Sequence, residues 1–213
     1  MTLNSVFYSR GTQHSVSSKD WYSEVIAGGY HAVIFDCDGT LVESSEAHFQ
    51  SFQAAVRAQG QDMPRDWYFA RTGLDRQSLF RAFSADVSGE LDVTLAIRES
   101  IKNFMDLSSS VTAISETAEL VRALGLAHPM AVGTNAELEV ATASLRATDL
   151  LKYFDCIVSI SDDFAAKPAP DIFLRAKERL GFSAAETVVF EDSSEGVKAA
   201  LDAGLDVFKI AHS

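Results

Sequence analysis

His31-Ala-Val-Ile-Phe-Asp36-Cys-Asp38-Gly-Thr-Leu-Val42 is an apolar run of strand length that ends on two carboxylates two positions apart, with a glycine beside them that permits a tight turn. Three later runs have the same form. Pro129-Met-Ala-Val-Gly133 is followed by Thr134-Asn135, Cys156-Ile-Val-Ser-Ile160 by Asp162-Asp163 and Lys167-Pro-Ala-Pro170, and Thr187-Val-Val-Phe190 by Glu191-Asp192-Ser193. Asp206-Val-Phe-Lys-Ile210 is a candidate fifth strand. Helix-length segments separate the later runs and carry helix punctuation: Ser115 ahead of Glu116 and Glu119, Pro170 at a first turn, and Gly125, Gly181 and Gly204 where helices would stop. Strands alternating with helices predict an α/β fold, a doubly wound parallel sheet of Rossmann-like type covered on both faces.

From about Ser45 to Thr112 the rhythm changes to helical periodicity with no convincing buried strand. Pro64 and Gly73 bracket one short helix, Asp75 can cap the next, and Leu79, Phe80 and Phe83 recur on one helical face, a stripe that reads as packing. The expected organisation is therefore a core made of residues 30–44 and 113–213 with an α-helical cap, residues 45–112, inserted between. Residues 1–29 form an extension whose role the sequence leaves open: a disordered arm, or a segment that folds against the core through Trp21, Tyr22, Val25 and Ile26.

Composition narrows the function classes. The 213 residues are 47% hydrophobic and 23% charged, ordinary usage for a chain that buries one sizeable core. Acidic residues outnumber basic ones 30 to 18, for a net charge of -12, which argues against nucleic-acid or anionic-membrane partners because both need a concentrated positive surface. No apolar stretch resembles a secretory signal or a membrane span, and Cys37 and Cys156 are too few for a metal cluster or a disulfide framework. A cytoplasmic protein with reduced thiols is the expectation. Nothing in the sequence specifies an oligomeric state.

In an open parallel sheet ligands bind beyond the carboxyl ends of the strands, where Asp36, Asp38, Thr134, Asn135, Lys167, Glu191 and Asp192 would gather. Moving a phosphoryl group needs an in-line nucleophile, a proton carrier and positive charge around the transferring oxygens. Asp36 can attack phosphorus to give an aspartyl phosphate, and Asp38 can protonate the leaving alcohol and then deprotonate water, for which neighbouring carboxylates should raise its pKa towards neutrality. So many carboxylates together imply a hard divalent cation, Mg2+, bound by the side chains of Asp36 and Asp192 and the main-chain carbonyl of Asp38, with Glu191 behind them or joined through water. Lys167 would neutralise nucleophile and phosphate, while Thr134 and nearby N–H groups, including those of Asn135, bind phosphate oxygens.

Asp36-Cys-Asp-Gly-Thr-Leu-Val42, Thr134, Lys167-Pro-Ala-Pro-Asp-Ile-Phe173 and Phe190-Glu-Asp-Ser-Ser-Glu-Gly-Val197 resemble, in order, the four motifs of the haloacid-dehalogenase-like superfamily. The helical insert after the first motif resembles the small cap of its β-phosphoglucomutase and phosphoglycolate-phosphatase branch. The likeness spans about Tyr30 to Ile210 and implies the same roles: nucleophile Asp36, acid/base Asp38, phosphate binding by Thr134 and Lys167, and metal binding by Asp192. It also implies that His48 assists cap closure and that Arg76 grips the distal end of the substrate. Asp38 speaks against dehalogenation, because the dehalogenases lack this second aspartate. Phosphonate cleavage would require an imine-forming lysine in the cap, where Lys102 stands alone near the end of the insert.

The expected function is thus a phosphatase acting on a small phosphorylated metabolite, a sugar phosphate or phosphoglycolate. A phosphomutase is the alternative, disfavoured by Ala136-Glu137-Leu138, which puts a glutamate where a second phosphate would want a cation. A catalytically silent binding module would not need the intact motifs.

Overall fold

The computed structural model describes residues 2–9, 11–87, 89–162 and 164–211. A hairpin, β1 (Asn4–Ser9) and β2 (Thr12–Ser17), and helix α1 (Trp21–Ala27) come before β3 (Ala32–Phe35), the run that precedes Asp36. The short strand β4 (Val42–Glu43) leads into α2 (Ser45–Arg57), α3 (Arg65–Phe69), α4 (Arg76–Asp86) and α5 (Val93–Leu107), and β5 (Thr112–Ala113) returns antiparallel beside β4. The chain then alternates: α6 (Ser115–Leu124), β6 (Met130–Gly133), α7 (Leu138–Ala147), β7 (Cys156–Val158), α8 (Asp171–Leu180), β8 (Thr187–Glu191), α9 (Ser194–Asp202) and β9 (Asp206–Ala211).

The sheet order is β2-β1-β9-β8-β3-β6-β7, parallel from β9 to β7. The chain winds outward from β3 through β6 to β7 and then crosses back to β8 and β9, so the direction of winding reverses between β3 and β8. Such a switch point opens a crevice at the strands' carboxyl ends. The four residues of β3 have no solvent exposure because both sheet faces are covered. Val33, Phe35, Val132 and Phe190 meet Leu120, Val121 and Val140 of α6 and α7 on one face. On the other, Ile34, Ala131 and Val189 meet Ile172, Phe173 and Ala200 of α8 and α9. The expected α/β architecture with an inserted helical segment is what the chain adopts. That segment has its own apolar cluster, in which Leu79, Phe80 and Phe83 pack with Phe49, Phe52 and Tyr68, and Asp75 caps α4 by accepting from the Ser78 N–H at 2.9 Å.

Of the two alternatives for the N-terminal residues, the described ones fold against the core, and they add a hairpin to it. β1 pairs antiparallel with β9 and extends the sheet. Trp21 and Val25 are fully buried, and Trp21 meets Phe190 edge-on at 5.4 Å. Its indole Nε1 donates to Ser5 Oγ at 2.8 Å, and Ser5 Oγ donates to the Val16 carbonyl at 3.1 Å. Tyr22 and Ile26, expected to pack with them, lie on the outer side of α1 and are exposed. Among the described residues no helix is long and apolar enough to cross a membrane, and both cysteines are free thiols.

Candidate active site

Asp36 leaves the end of β3 with its N–H donated to the Phe190 carbonyl at 2.9 Å, which fixes it against β8. The next residues turn back at once: the Gly39 N–H reaches the Val42 carbonyl at 2.8 Å and the Leu41 N–H the Cys37 carbonyl at 2.8 Å. The turn needs glycine twice over, since Gly39 has a φ of 87° and a Cβ there would overlap the Asp192 carboxylate. Lys167, from the loop after β7, places its Nζ 2.6 Å from Asp36 Oδ1 and 2.8 Å from Glu191 Oε2, over the Phe173 ring. All three charged groups are buried. A buried ion triad is a poor source of net stability, because desolvation cancels most of the attraction, so its presence at a strand end points to chemistry. Burial pulls the Lys167 ammonium down, but Asp36 and Glu191 outweigh it, and its pKa lies above the usual lysine value.

Glu191 is the hub of this arrangement. Its Oε2 takes Lys167, while Oε1 accepts the N–H groups of Asp192 at 3.0 Å and Ser193 at 2.9 Å and the Ser193 hydroxyl at 2.9 Å. Gly196 leaves room for it, since a Cβ at that position would overlap Oε2. Asp36, Glu191 and Asp192 each bring a carboxylate oxygen within 4.8 Å of the others. One lysine cannot neutralise three carboxylates, and burial followed by the Glu191 charge pushes the Asp36 carboxyl well above its ordinary range. Hard oxygen donors crowded in this way suit a small divalent cation. Asp38 is not in that cluster by its side chain.

Asp38 turns the other way. Its Oδ1 accepts from Ser44 Oγ at 2.5 Å and lies 3.2 Å from His48 Nε2, whose ring stacks on Phe104 with centroids 4.3 Å apart. Burial alone would raise its pKa, but His48 and Ser44 together lower it. The expectation that neighbouring carboxylates raise Asp38 is therefore overturned: its nearest polar partners are a hydroxyl and an imidazole. Ser44 escapes sequence reasoning because a serine before a helix reads first as a cap, yet here it makes no side-chain cap bond and serves Asp38.

Thr134 is buried at the end of β6, its N–H on the Val158 carbonyl at 3.0 Å and its Oγ1 accepting from the Ala136 N–H at 3.0 Å, which leaves the hydroxyl proton to donate. Asn135 uses its side chain as a brace. Oδ1 accepts the Lys167 N–H at 2.8 Å, and Nδ2 sits 3.4 Å from the carbonyls of Lys167 and of Gly73 in the inserted segment. Arg76 is buried rather than solvated. Its Nε lies 2.9 and 3.1 Å from the two oxygens of Glu137, its Nη1 donates to Ser100 Oγ at 2.9 Å, and its guanidinium lies over Phe52. Asp162 stands apart, bonded to the Ser159 N–H and to Arg179. Asp163 lies outside the described residues.

Asp36, Asp38, Thr134, Asn135, Lys167, Glu191 and Asp192 from the sheet, with His48 and Arg76 from the insert, all line one cavity of about 560 Å³, and Tyr68 and Phe69 line it too. The volume suits a small-molecule ligand.

A profile of haloacid dehalogenase-like hydrolases matches residues 33–210. The fructose-1-phosphate phosphatase YqaB of Escherichia coli is 29% identical over 85% of this chain and 96% of its own length. A phosphorylated carbohydrates phosphatase of Thermotoga maritima is 30% identical over 85% of this chain and 86% of its own. Among solved structures, a variant of CbbY from Rhodobacter sphaeroides in complex with xylulose 1,5-bisphosphate aligns with a TM-score of 0.78 and 27% identity over 84% of either chain. With the profile spanning nearly everything after the N-terminal hairpin and helix, the chain belongs to the haloacid dehalogenase-like hydrolase family.

Proposed function

We propose that the protein is a Mg2+-dependent phosphatase of small phosphorylated carbohydrates, working through an aspartyl phosphate on Asp36. The observation that carries this reading is the opposition of two differently held carboxylates in one cavity. Asp36 is fixed by Lys167 beside Glu191 and Asp192, and Asp38 is fixed by Ser44 and His48. The names of the relatives support the substrate class.

An Asp36 carboxylate oxygen attacks phosphorus; the bond to the sugar oxygen breaks, and Asp38 gives the departing alkoxide a proton. Water then attacks phosphorus, Asp38 takes its proton, the bond to Asp36 breaks and inorganic phosphate leaves. Ser44 and His48 favour the ionised Asp38 that the second step needs. The incoming phosphate charge favours the protonated form that the first step needs. Lys167 and the Thr134 hydroxyl hold phosphoryl oxygens. Asp36, Asp192 and the Asp38 carbonyl, with Glu191 behind them, would hold Mg2+, which would supply further positive charge to those oxygens. The helices between β4 and β5 act as a cap that moves on this ribbon, admits substrate and excludes water.

The test is phosphate release from a panel of sugar phosphates and phosphoglycolate, with Mg2+ and with a chelator, for the native chain and Asp36→Asn. Release that needs both the metal and Asp36 is expected. Release that survives Asp36→Asn, or none from any member, would sink the reading. A mutase would also need a second phosphate grip, and Glu137 opposes one.

A further inference from the structure

The cavity's far wall is built around a pair of charges that cancel. Arg76, in the first turn of α4, and Glu137, just before α7, are 61 residues apart and meet across the cavity, the one Nε–H of Arg76 shared between the two Glu137 oxygens at 2.9 and 3.1 Å. The arginine side chain is only 3% exposed and the glutamate 17%, so solvent screens the pair weakly. Ser100 and the Phe52 face hold the guanidinium from its other sides. Glu137 lies three residues beyond Thr134, on the loop that carries the phosphate-binding hydroxyl, so core and insert each give one member of the pair.

Among the described lining residues the permanent cations are Lys167 and Arg76. Lys167 is committed to Asp36 and Glu191, and Arg76 to Glu137. Glu43 and Glu195 line the same cavity with further negative charge. A second phosphate at the distal end of a substrate would meet carboxylates and a guanidinium already neutralised. A neutral hydroxylated tail would find acceptors instead, because a carboxylate holding one arginine keeps lone pairs for sugar hydroxyls. We infer that the Arg76–Glu137 pair is the specificity device of this enzyme: it selects sugar monophosphates with an uncharged polyol tail and rejects bisphosphates. Glu137 is the discriminating residue, since discrimination by an unpaired or repelling charge is a general route to specificity.

This inference rests on the phosphatase reading and is tested with fructose 1-phosphate and fructose 1,6-bisphosphate, which differ by the second phosphate alone. For the native chain, kcat/KM should favour the monophosphate by at least about 10-fold, the scale of one uncompensated charge contact. Glu137→Gln keeps the hydrogen-bond acceptor and frees the Arg76 charge, so the ratio should move toward the bisphosphate by about 10-fold or more. Arg76→Gln leaves Glu137 unneutralised and should move the ratio the other way. These opposite signs separate selection from a merely structural pair, whose loss would slow both substrates alike. Unchanged ratios in both variants, or a native enzyme that accepts the bisphosphate equally well, would overturn the inference while leaving the phosphatase reading intact. A native chain that releases phosphate from neither sugar, nor from any other member of the panel, brings down the phosphatase reading and the inference with it.

Discussion

The two halves of the cavity are held by different means. On the sheet side, positions are set by the ends of β3, β6 and β8 and by main-chain hydrogen bonds: Asp36 on Phe190, Thr134 on Val158, Glu191 on the N–H groups of Asp192 and Ser193. On the insert side, His48 and Arg76 find their carboxylate partners across the cavity, in Asp38 and Glu137. A core built this way fixes Asp36, Thr134 and Glu191 by its own main chain, whatever lies opposite. An insert whose polar groups depend on the core for pairing can be tuned one residue at a time, which is where a choice among substrates belongs.

The sharpest way to break that comparison is Lys167→Met. Without its ammonium, Asp36 and Glu191 stand buried and uncompensated, so the phosphoryl oxygens lose one source of positive charge and the fold loses a neutralising partner. Phosphate release should fall about 10²–10³-fold, as when one preorganised electrostatic group is removed from an active site. Urea unfolding should show a loss of about 3–5 kcal/mol, the usual result of stripping one member from a buried ion pair. Added Mg2+ should recover part of the stability and little of the rate. A variant that turns over at the native rate would mean that the sheet half is not the chemical half.

At the junction of the halves the expected effect is smaller. Ser44→Ala or His48→Ala removes one of the two groups that orient Asp38 and lower its pKa. The rate should fall about 10-fold, a fraction of what general acid–base catalysis contributes in total. The sign of the pH effect follows from the direction of the shift: His48 lowers the Asp38 pKa, so its loss raises that pKa. The acid limb of the pH–rate profile, which in the proposed mechanism reports the ionised Asp38 that activates water, then moves to higher pH. KM should hardly change. A change in KM alone would assign these side chains to substrate binding.

The same division governs what the sequence made legible. Strand-end residues stand out because an apolar run forces the next polar side chain to the sheet's edge, so Asp36, Thr134, Lys167, Glu191 and Asp192 could be placed together before any coordinates. The pairing partners could not. Ser44 and Glu137 acquire their roles from residues 6 and 61 positions away, and no local periodicity encodes such a meeting. The hairpin was hidden for another reason: Asn-Ser-Val-Phe-Tyr-Ser, between β2 and β9, and Thr-Gln-His-Ser-Val-Ser, at the sheet's edge, carry many polar residues and are buried only at Ser5, Phe7 and Val16. Such strands resemble a solvated arm until β9 is there to receive them.

That hairpin supplies the finest test, because it touches the core without touching the cavity. Ser5 sits between Trp21 and the Val16 carbonyl, and Trp21 leans on Phe190, the residue before Glu191. Ser5→Ala leaves a buried indole N–H without its acceptor and should cost about 1–3 kcal/mol in urea unfolding. The rate should stay within about twofold, since small stability changes away from a site leave its geometry in place. Glu191 is positioned by Lys167 and by the first residues after β8, not by Trp21, so softening the Trp21 contact loosens the back of the strand and not its carboxyl end. A rate that fell along with stability would mean that strain passes along β8 from Phe190 to Glu191. The hairpin would then be a support of the catalytic half rather than cover for the sheet's edge.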